Sequence, residues 1–353
     1  MNSEEKPESV SVALCTFNSA SFLLEELESI ERQTILPSEV IVCDDGSTDE
    51  TLEILEKWKE SVSFPVNIQK NAENLGYTKN FEQAVSLCSG EIILLADHDD
   101  LWFPNRVERI LEAFQCDSEL GLVSSDAVII DAQGIDQGMR LREFVERMHL
   151  RDFWRFFFPD DSEMVLWTGC TMALRRRFLS QVLPIPTAMA CHDIWFYLTF
   201  ALISRIEFIP EPLICYRLHG QNNSTAPTVE YLRENPSCWR YFNSLTETLE
   251  GTHPMLIDSL EKFVQARLKA GFPELNTLDS TRLSERLEKY LRLLKRRKRH
   301  FYARRDSVHH PWLILREILN FGYLGHPQPV LSLLYDLREY FRRRLIREHR
   351  LEI

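Results

Sequence analysis

The chain has 353 residues, 44% of them hydrophobic and 27% charged, with a formal net charge of −12. That composition supplies a large core and excludes disorder, collagen or a coiled coil as descriptions of the whole chain. No run approaches the roughly 18 consecutive apolar residues of a membrane span, and the acidic opening MNSEEKPESV lacks the apolar stretch of a secretory signal.

Residues 9–18 predict a strand, and Ser19 and Ser21 can cap a following helix with Leu23, Leu24, Leu27 and Ile30 on one face. Residues 39–43 (EVIVC) read as a second strand ending in Asp44-Asp45-Gly46-Ser47. Thr48 and Asp49 then open a helix bearing Leu52, Ile54, Leu55 and Trp58. A short strand at 66–69 leads through a polar loop to a helix over 78–88. Residues 91–96 (EIILLA) form a fourth strand that breaks at Asp97-His98-Asp99-Asp100. Pro104 suits the first turn of a helix reaching residue 116, and 120–130 reads as another strand.

Residues 131–165 are less regular and hold a dense aromatic run at 153–158. Residues 165–174 predict a strand interrupted by a glycine, 192–204 a buried helix, and 205–209 and 213–217 two strands before a polar loop at 219–224. Beyond about residue 228 the pattern is helical only. This divides the chain into an α/β domain over 1–228 and a helical region over 229–353.

Apolar strands alternating with amphipathic helices imply an α/β fold with a mostly parallel sheet covered on both faces. Ligands bind such sheets beyond the carboxyl ends of the strands. Three polar clusters fall there: Thr16–Asn18, Asp44–Ser47 and Asp97–Asp100. Three carboxylates in four residues repel one another unless a cation sits among them. Oxygen donors favour Mg²⁺ or Mn²⁺, with Asp97 and Asp99 expected on one side of the strand end at period two. A carboxylate at the second strand end, Asp45, can accept the imide N–H of a pyrimidine or a ribose hydroxyl. GxGxxG, GxxxxGK[ST] and GxSxG are all absent, which argues against a Rossmann dinucleotide site, a P-loop and an α/β-hydrolase.

The ordered set VALCTFN, VIVCDDGSTD, NLGYTKN and IILLADHDDLW resembles glycosyltransferase family 2, whose fold is called GT-A. The later GCTM, HDIW and YRLHG fit the same pattern and resemble its bacterial rhamnosyltransferase-like branch. The resemblance covers about residues 8–225. It implies inverting transfer from a nucleoside-diphosphate sugar, with dTDP-rhamnose or a UDP-hexose as donor, to a glycan or lipid-linked glycan in surface polysaccharide synthesis. Carried over by position, Thr16, Asn18, Asp44, Asp45, Lys79, Asn80 and Asp97 line the nucleotide pocket. Asp99 binds the metal with Asp97, and Asp193 is the catalytic base. His192 stands where Glu is commoner in the family.

Arg217 and His219 are candidates to stabilise the departing diphosphate, with His219 also a metal-ligand candidate. Trp102, Gly169 and His192 are candidates for contact with the diphosphate or acceptor. Each has a plainer reading: a structural Arg and His at a strand end, a buried packing histidine, and core tryptophans at two or more of Trp102, Trp167 and Trp195. A sugar-nucleotidyltransferase and an inactive sugar-nucleotide-binding module stay open as alternatives. CTFNSAS lacks the Gly- and Arg-rich loop of the first, and Asp97, Asp99 and Asp193 are all present against the second.

The eight cysteines are scattered without a CxxC pair, so free thiols in the cytoplasm are expected. Residues 231–353 hold 23 Lys and Arg against 15 Asp and Glu, while 1–230 hold 18 against 38. Within that basic part, residues 291–305 carry eight basic side chains and no acidic one, and 331–346 is a second basic amphipathic stretch. Such stretches are solvated helix faces, peripheral contacts with an anionic membrane face, or surfaces that pair two copies of the chain. Nucleic acid is not an expected partner of so acidic a catalytic half.

Overall fold

The computed structural model describes residues 8–147, 168–187, 189, 191–219, 222, 239–271 and 277–307. The aromatic run at 153–158, Trp167, most of the 219–224 loop and the basic stretch at 331–346 lie outside the described residues.

β1 (Val10–Thr16) is buried along its whole length, which is why it reads as a nearly unbroken apolar run. α1 (Leu23–Glu31) leads to β2 (Glu39–Asp44), α2 (Thr51–Ser61) to β3 (Val66–Lys70), and α3 (Tyr77–Leu87) to β4 (Ile92–Asp97). β2 and β4 flank β1 in parallel, and β3 lies outside β2. β5 (Leu101–Trp102), α4 (Arg106–Cys116), β6 (Leu120–Asp131), β7 (Asp136–Arg140) and α5 (Leu141–Arg147) follow. Then come β8 (Met172–Arg175), α6 (Leu179–Val182), α7 (His192–Ile203) and β9 (Arg205–Leu218).

Among the described residues these strands form one sheet in the order β3-β2-β1-β4-β8-β6-β9-β5, with β7 beside β6. β8 is antiparallel to both β4 and β6, and β9 is parallel to β6. β1 to β4, β6 and β9 therefore point the same way and end at one edge. This is the expected α/β, mostly parallel architecture. α3 packs on β1 and β2, and α7 packs on β6, β9 and α3.

Four expectations change. The two strands before residue 218 are one, because Pro210 and Pro212 fall where the register with β6 shifts between Ser125 and Asp126. A bulge there absorbs the missing N–H groups without ending the strand. β7, a polar and mostly exposed edge strand, carries no apolar alternation and was not predicted. Gly169–Thr171 is a 3₁₀ turn, so only Met172–Arg175 of the 165–174 stretch forms a described strand. α1 begins at Leu23 without a serine side-chain cap. Ser19 contributes its main-chain oxygen to the N–H groups of Phe22 and Leu23, while its hydroxyl accepts that of Phe17.

The described chain falls into two compact units, the second beginning at Phe242. It holds α9 (Thr277–Ser307) and most of α8 (Trp239–Ala270). Leu256, Ile257, Leu260, Phe263 and Val264 of α8 are buried at helical spacing, as are Leu287, Tyr290 and Leu294 of α9. Lys298, in the middle of the basic stretch, donates to Glu261 and pairs with Asp258 at 2.7 Å. Part of that positive charge is thus neutralised inside the unit. No described helix is long and apolar enough to cross a membrane. The seven described cysteines are free thiols.

Candidate active site

Register brings three polar strand ends level: Thr16 opposite Asp44, and Cys15 opposite Asp97. The buried Asp44 carboxylate is engaged locally. It accepts from the Thr16 hydroxyl at 2.9 Å, the Ser47 N–H at 2.9 Å and the Gly46 N–H at 3.2 Å. Gly46 has φ +87°, a conformation that favours glycine. Asp44 therefore shapes the turn that presents Asp45. Asn18 faces the same turn, its Oδ1 accepting the Thr48 N–H at 2.9 Å.

Asp45 is buried too. Its Oδ1 accepts from Asn71 Nδ2 at 2.9 Å and from the Leu75 N–H at 2.8 Å, and its Oδ2 accepts the Gly76 N–H at 2.9 Å. Asn80 is turned inward, donating to the Cys43 carbonyl at 2.8 Å and accepting from Asn71. Lys79 donates to Glu82 and to the Ile185 carbonyl. Asn80 and Lys79 are thus held by protein groups, and Asp45 anchors the entrance to α3.

β4 stops at Asp97 and the chain turns at once. Asp97 and Asp99 therefore do not share a strand face, because the period of two ends with the strand. Asp99 Oδ2 lies 2.8 Å from His219 Nε2 and accepts from Asn222 Nδ2 at 3.3 Å. Asp97, Asp100 and Cys170 have potential ligand atoms within 4.8 Å of one another. Burial, then the charges of Asp99 and Asp100, raises the Asp97 pKa. Burial acts the same way on Asp99, yet the His219 hydrogen bond holds it below the ordinary carboxylate range.

Arg217 is 1% exposed and fully engaged. Nε donates to the Asp99 carbonyl at 2.8 Å, Nη1 to the Ala132 carbonyl at 3.2 Å, and Nη2 to Glu25 at 2.6 Å. These bonds tie the end of β9, two residues before His219, to the acidic turn. Trp102 is buried with the Arg106 guanidinium 3.9 Å above its ring. Trp195 is buried and donates to the Val182 carbonyl. Both match the plainer reading of core tryptophans.

Asp193 sits in the first turn of α7, half-buried, and burial pushes its pKa up to about 6. The Gly169 N–H is among its hydrogen-bond donors, and its charge is felt at Asp97. His192 beside it is buried and stacked on Phe81, ring centroids 4.0 Å apart, with Tyr77 and Phe196 edge-on. Among the described residues neither ring nitrogen has a hydrogen-bond partner, and burial pulls the pKa down to about 3, so the ring is neutral. A Cβ on Gly169 would stand 2.6 Å from His192 Nε2. His192 packs α7 against α3.

The sequence reading passed over two buried charges beneath this edge. Arg106 Nη2 donates to the Cys170 carbonyl at 2.6 Å and the Leu95 carbonyl at 3.2 Å. Glu26 is fully buried with both oxygens unpartnered, and burial followed by the Asp100 charge raises its pKa. Both interrupt apolar stripes, Glu26 among Leu23, Leu27 and Ile30, and Arg106 beside Val107, Ile110 and Phe114. A charge on a buried helical stripe is the signal that marks them.

With this geometry in view, relationships to known proteins are informative. The family model for glycosyl transferase family 2 matches residues 11–183. This part of the chain is similar to that family. An uncharacterized glycosyltransferase of Nostoc sp. is 29% identical over 225 residues, 61% of this chain and 66% of the relative. A Shigella flexneri protein named dTDP-rhamnosyl transferase RfbG is 24% identical over 230 residues, 62% of this chain and 75% of the relative. Some other curated relatives are matched over half their length or less. Among solved structures, that of S. aureus TarS 1-349 in complex with UDP-GlcNAc superposes with a TM-score of 0.49 at 17% identity, covering 90% of each chain.

Proposed function

We propose that the chain is an inverting, metal-dependent glycosyltransferase that moves a sugar from a nucleoside-diphosphate sugar to a hydroxyl of a glycan or lipid-linked glycan. The observation that carries this reading is Asp193. It is a half-buried carboxylate from a separate helix, with a pKa near 6, whose charge reaches the carboxylate cluster at the sheet edge. An activating base in neutral solution needs a pKa close to the working pH and a position in the site.

On this reading Asp193 takes the proton of the acceptor hydroxyl as that oxygen attacks C1 of the sugar opposite the diphosphate. One attack with one base inverts the anomeric centre. Asp45 and the turn held by Asp44 receive the nucleotide. Asp97, Asp99 and His219 would hold a divalent cation. Carboxylates suit Mg²⁺ or Mn²⁺, and an added imidazole favours Mn²⁺ of the two; Asp99 and His219 lie 2.8 Å apart, and among the described residues His219 Nδ1 has no hydrogen-bond partner. Such an ion, when bound, neutralises charge developing on the departing diphosphate.

The relative named as a dTDP-rhamnosyl transferase makes dTDP-rhamnose the first donor to try, ahead of UDP-hexoses. Hydrolysis of UDP- and dTDP-sugars, with and without Mn²⁺, tests the reading. Release of nucleoside diphosphate from one donor, only with the metal, is expected. Formation of nucleoside triphosphate and sugar 1-phosphate from the donor when pyrophosphate is added would mark a nucleotidyltransferase, and binding without turnover an inactive module.

A further inference from the structure

Asp45 and Asp193 belong to segments that share one neighbour, α3. At its entrance, the Asp45 carboxylate holds the Leu75 and Gly76 N–H groups, and Asn80 ties the helix to β2 through the Cys43 carbonyl. Four other side chains of α3 meet the chain that leads to Asp193. The Tyr77 hydroxyl is 3.2 Å from Cys191 Sγ, and Phe81 stacks on His192. Glu82 Oε2 accepts the Ile185 N–H at 2.7 Å, while Lys79 Nζ donates to the Ile185 carbonyl at 2.6 Å and to Glu82 Oε2 at 2.7 Å.

The last arrangement is specific. Ile185 is buried and lies outside regular secondary structure between α6 and α7. No sheet ladder is available to its main chain, and buried N–H and C=O groups need partners. Two side chains one helical turn apart supply both partners and hold each other in place. An exposed i,i+3 ion pair contributes little. Here Lys79 and Glu82 are only 30% and 20% exposed, and a third group fixes their geometry.

We propose that Lys79 and Glu82 are positioning residues for Asp193, acting through Ile185 to set where α7 begins. The inference rests on the reading of Asp193 as the base. It removes Lys79 from the nucleotide pocket, where the family resemblance put it, and makes α3 the strut between the donor-side turn and the base.

The test compares Lys79→Met, Glu82→Gln, their double variant, Lys79→Arg and Asp193→Asn. Donor hydrolysis is measured across UDP- and dTDP-sugars, and calorimetry follows UDP and dTDP with Mn²⁺. The Met and Gln variants should each lower kcat by about ten- to a hundredfold, the scale of a displaced catalytic group. Nucleotide affinity should stay within about twofold, and the double variant should be little slower than either single one, as for two parts of one device. Lys79→Arg, which keeps the donors, should recover most of the rate. Full kcat in the Met and Gln variants beside an inactive Asp193→Asn overturns the positioning role alone. Wild-type turnover in Asp193→Asn overturns the base reading instead. Lost nucleotide affinity at unchanged kcat in Lys79→Met would return Lys79 to the donor pocket. A rate that falls only with the thermal midpoint, unrescued by Lys79→Arg, would reduce the pair to general stability.

Discussion

Arg217 donates through Nε to the main-chain oxygen of Asp99 at 2.8 Å, and its own main-chain N–H donates to Oδ1 of Asp100 at 2.9 Å. These two bonds fasten the end of β9 to the acidic turn and bring His219 onto Asp99. Arg217→Lys keeps the charge but cannot reach the Asp99 carbonyl, the Ala132 carbonyl and Glu25 together. We expect a stability loss of about 1–3 kcal/mol, the cost of stranding buried partners. Mn²⁺-dependent nucleotide affinity should weaken with it. Denaturant unfolding and calorimetry check this, and unchanged affinity would mean that His219 is placed without Arg217.

Asp99→Asn removes one carboxylate charge from the candidate cation site and leaves a neutral side chain of similar shape. The Mn²⁺-dependent part of UDP or dTDP affinity should disappear while the metal-free part survives. Chelation of the wild type should stop turnover in the same way. Equal metal dependence in wild type and variant would take Asp99 out of the ligand set.

The pH profile addresses Asp193. A base must be deprotonated, so with a pKa near 6 kcat/KM should fall about tenfold per unit as pH drops below about 6. Asp193→Asn should lower kcat by roughly 10²–10⁴ at neutral pH, abolish that acidic limb and leave donor binding intact. A limb that persists in the variant belongs to another group.

Asp45→Ala leaves the Leu75 and Gly76 N–H groups and Asn71 Nδ2 without their acceptor. Nucleoside diphosphate affinity should drop by roughly 10–150-fold, with or without metal, for the loss of a charged hydrogen bond worth about 1.5–3 kcal/mol. Stability should fall alongside it, because the same carboxylate holds α3. An effect confined to Mn²⁺-containing samples would move Asp45 to the metal.

Gly169→Ala should displace His192, since the added methyl would stand 2.6 Å from a buried ring nitrogen. We expect a loss of about 1–3 kcal/mol, typical of an overpacked core. The cost should shrink in a His192→Ala background, which thermal unfolding of the four proteins can measure.

The first half of the sheet was legible because β1, β2 and β4 are buried on both faces and run into carboxylates at one edge. The motif pattern placed the candidates Asp97 and Asp99 at that same edge, and Asp193 on a separate later helix. What stayed hidden depends on partners distant in sequence. Nothing near Lys79 announces Ile185, 106 residues on, and nothing near Arg217 announces Asp99. Two prolines made one strand look like two, and β7 has too little apolar content to be seen. Glu26 and Arg106 were visible as charges on apolar stripes, yet only their burial beneath the acidic turn gives them meaning.

Arg106 has a consequence for the proposed cation site. Burial lowers its pKa only to about 10, so the guanidinium stays charged under Asp97 and Asp100, clamped on Trp102 and the Cys170 carbonyl. Crowded carboxylates in many metalloproteins stay apart until an ion arrives, and folding then waits on metal supply. This chain carries a resident countercharge. Part of the negative charge of its acidic turn is therefore balanced by the protein itself, before any ion binds.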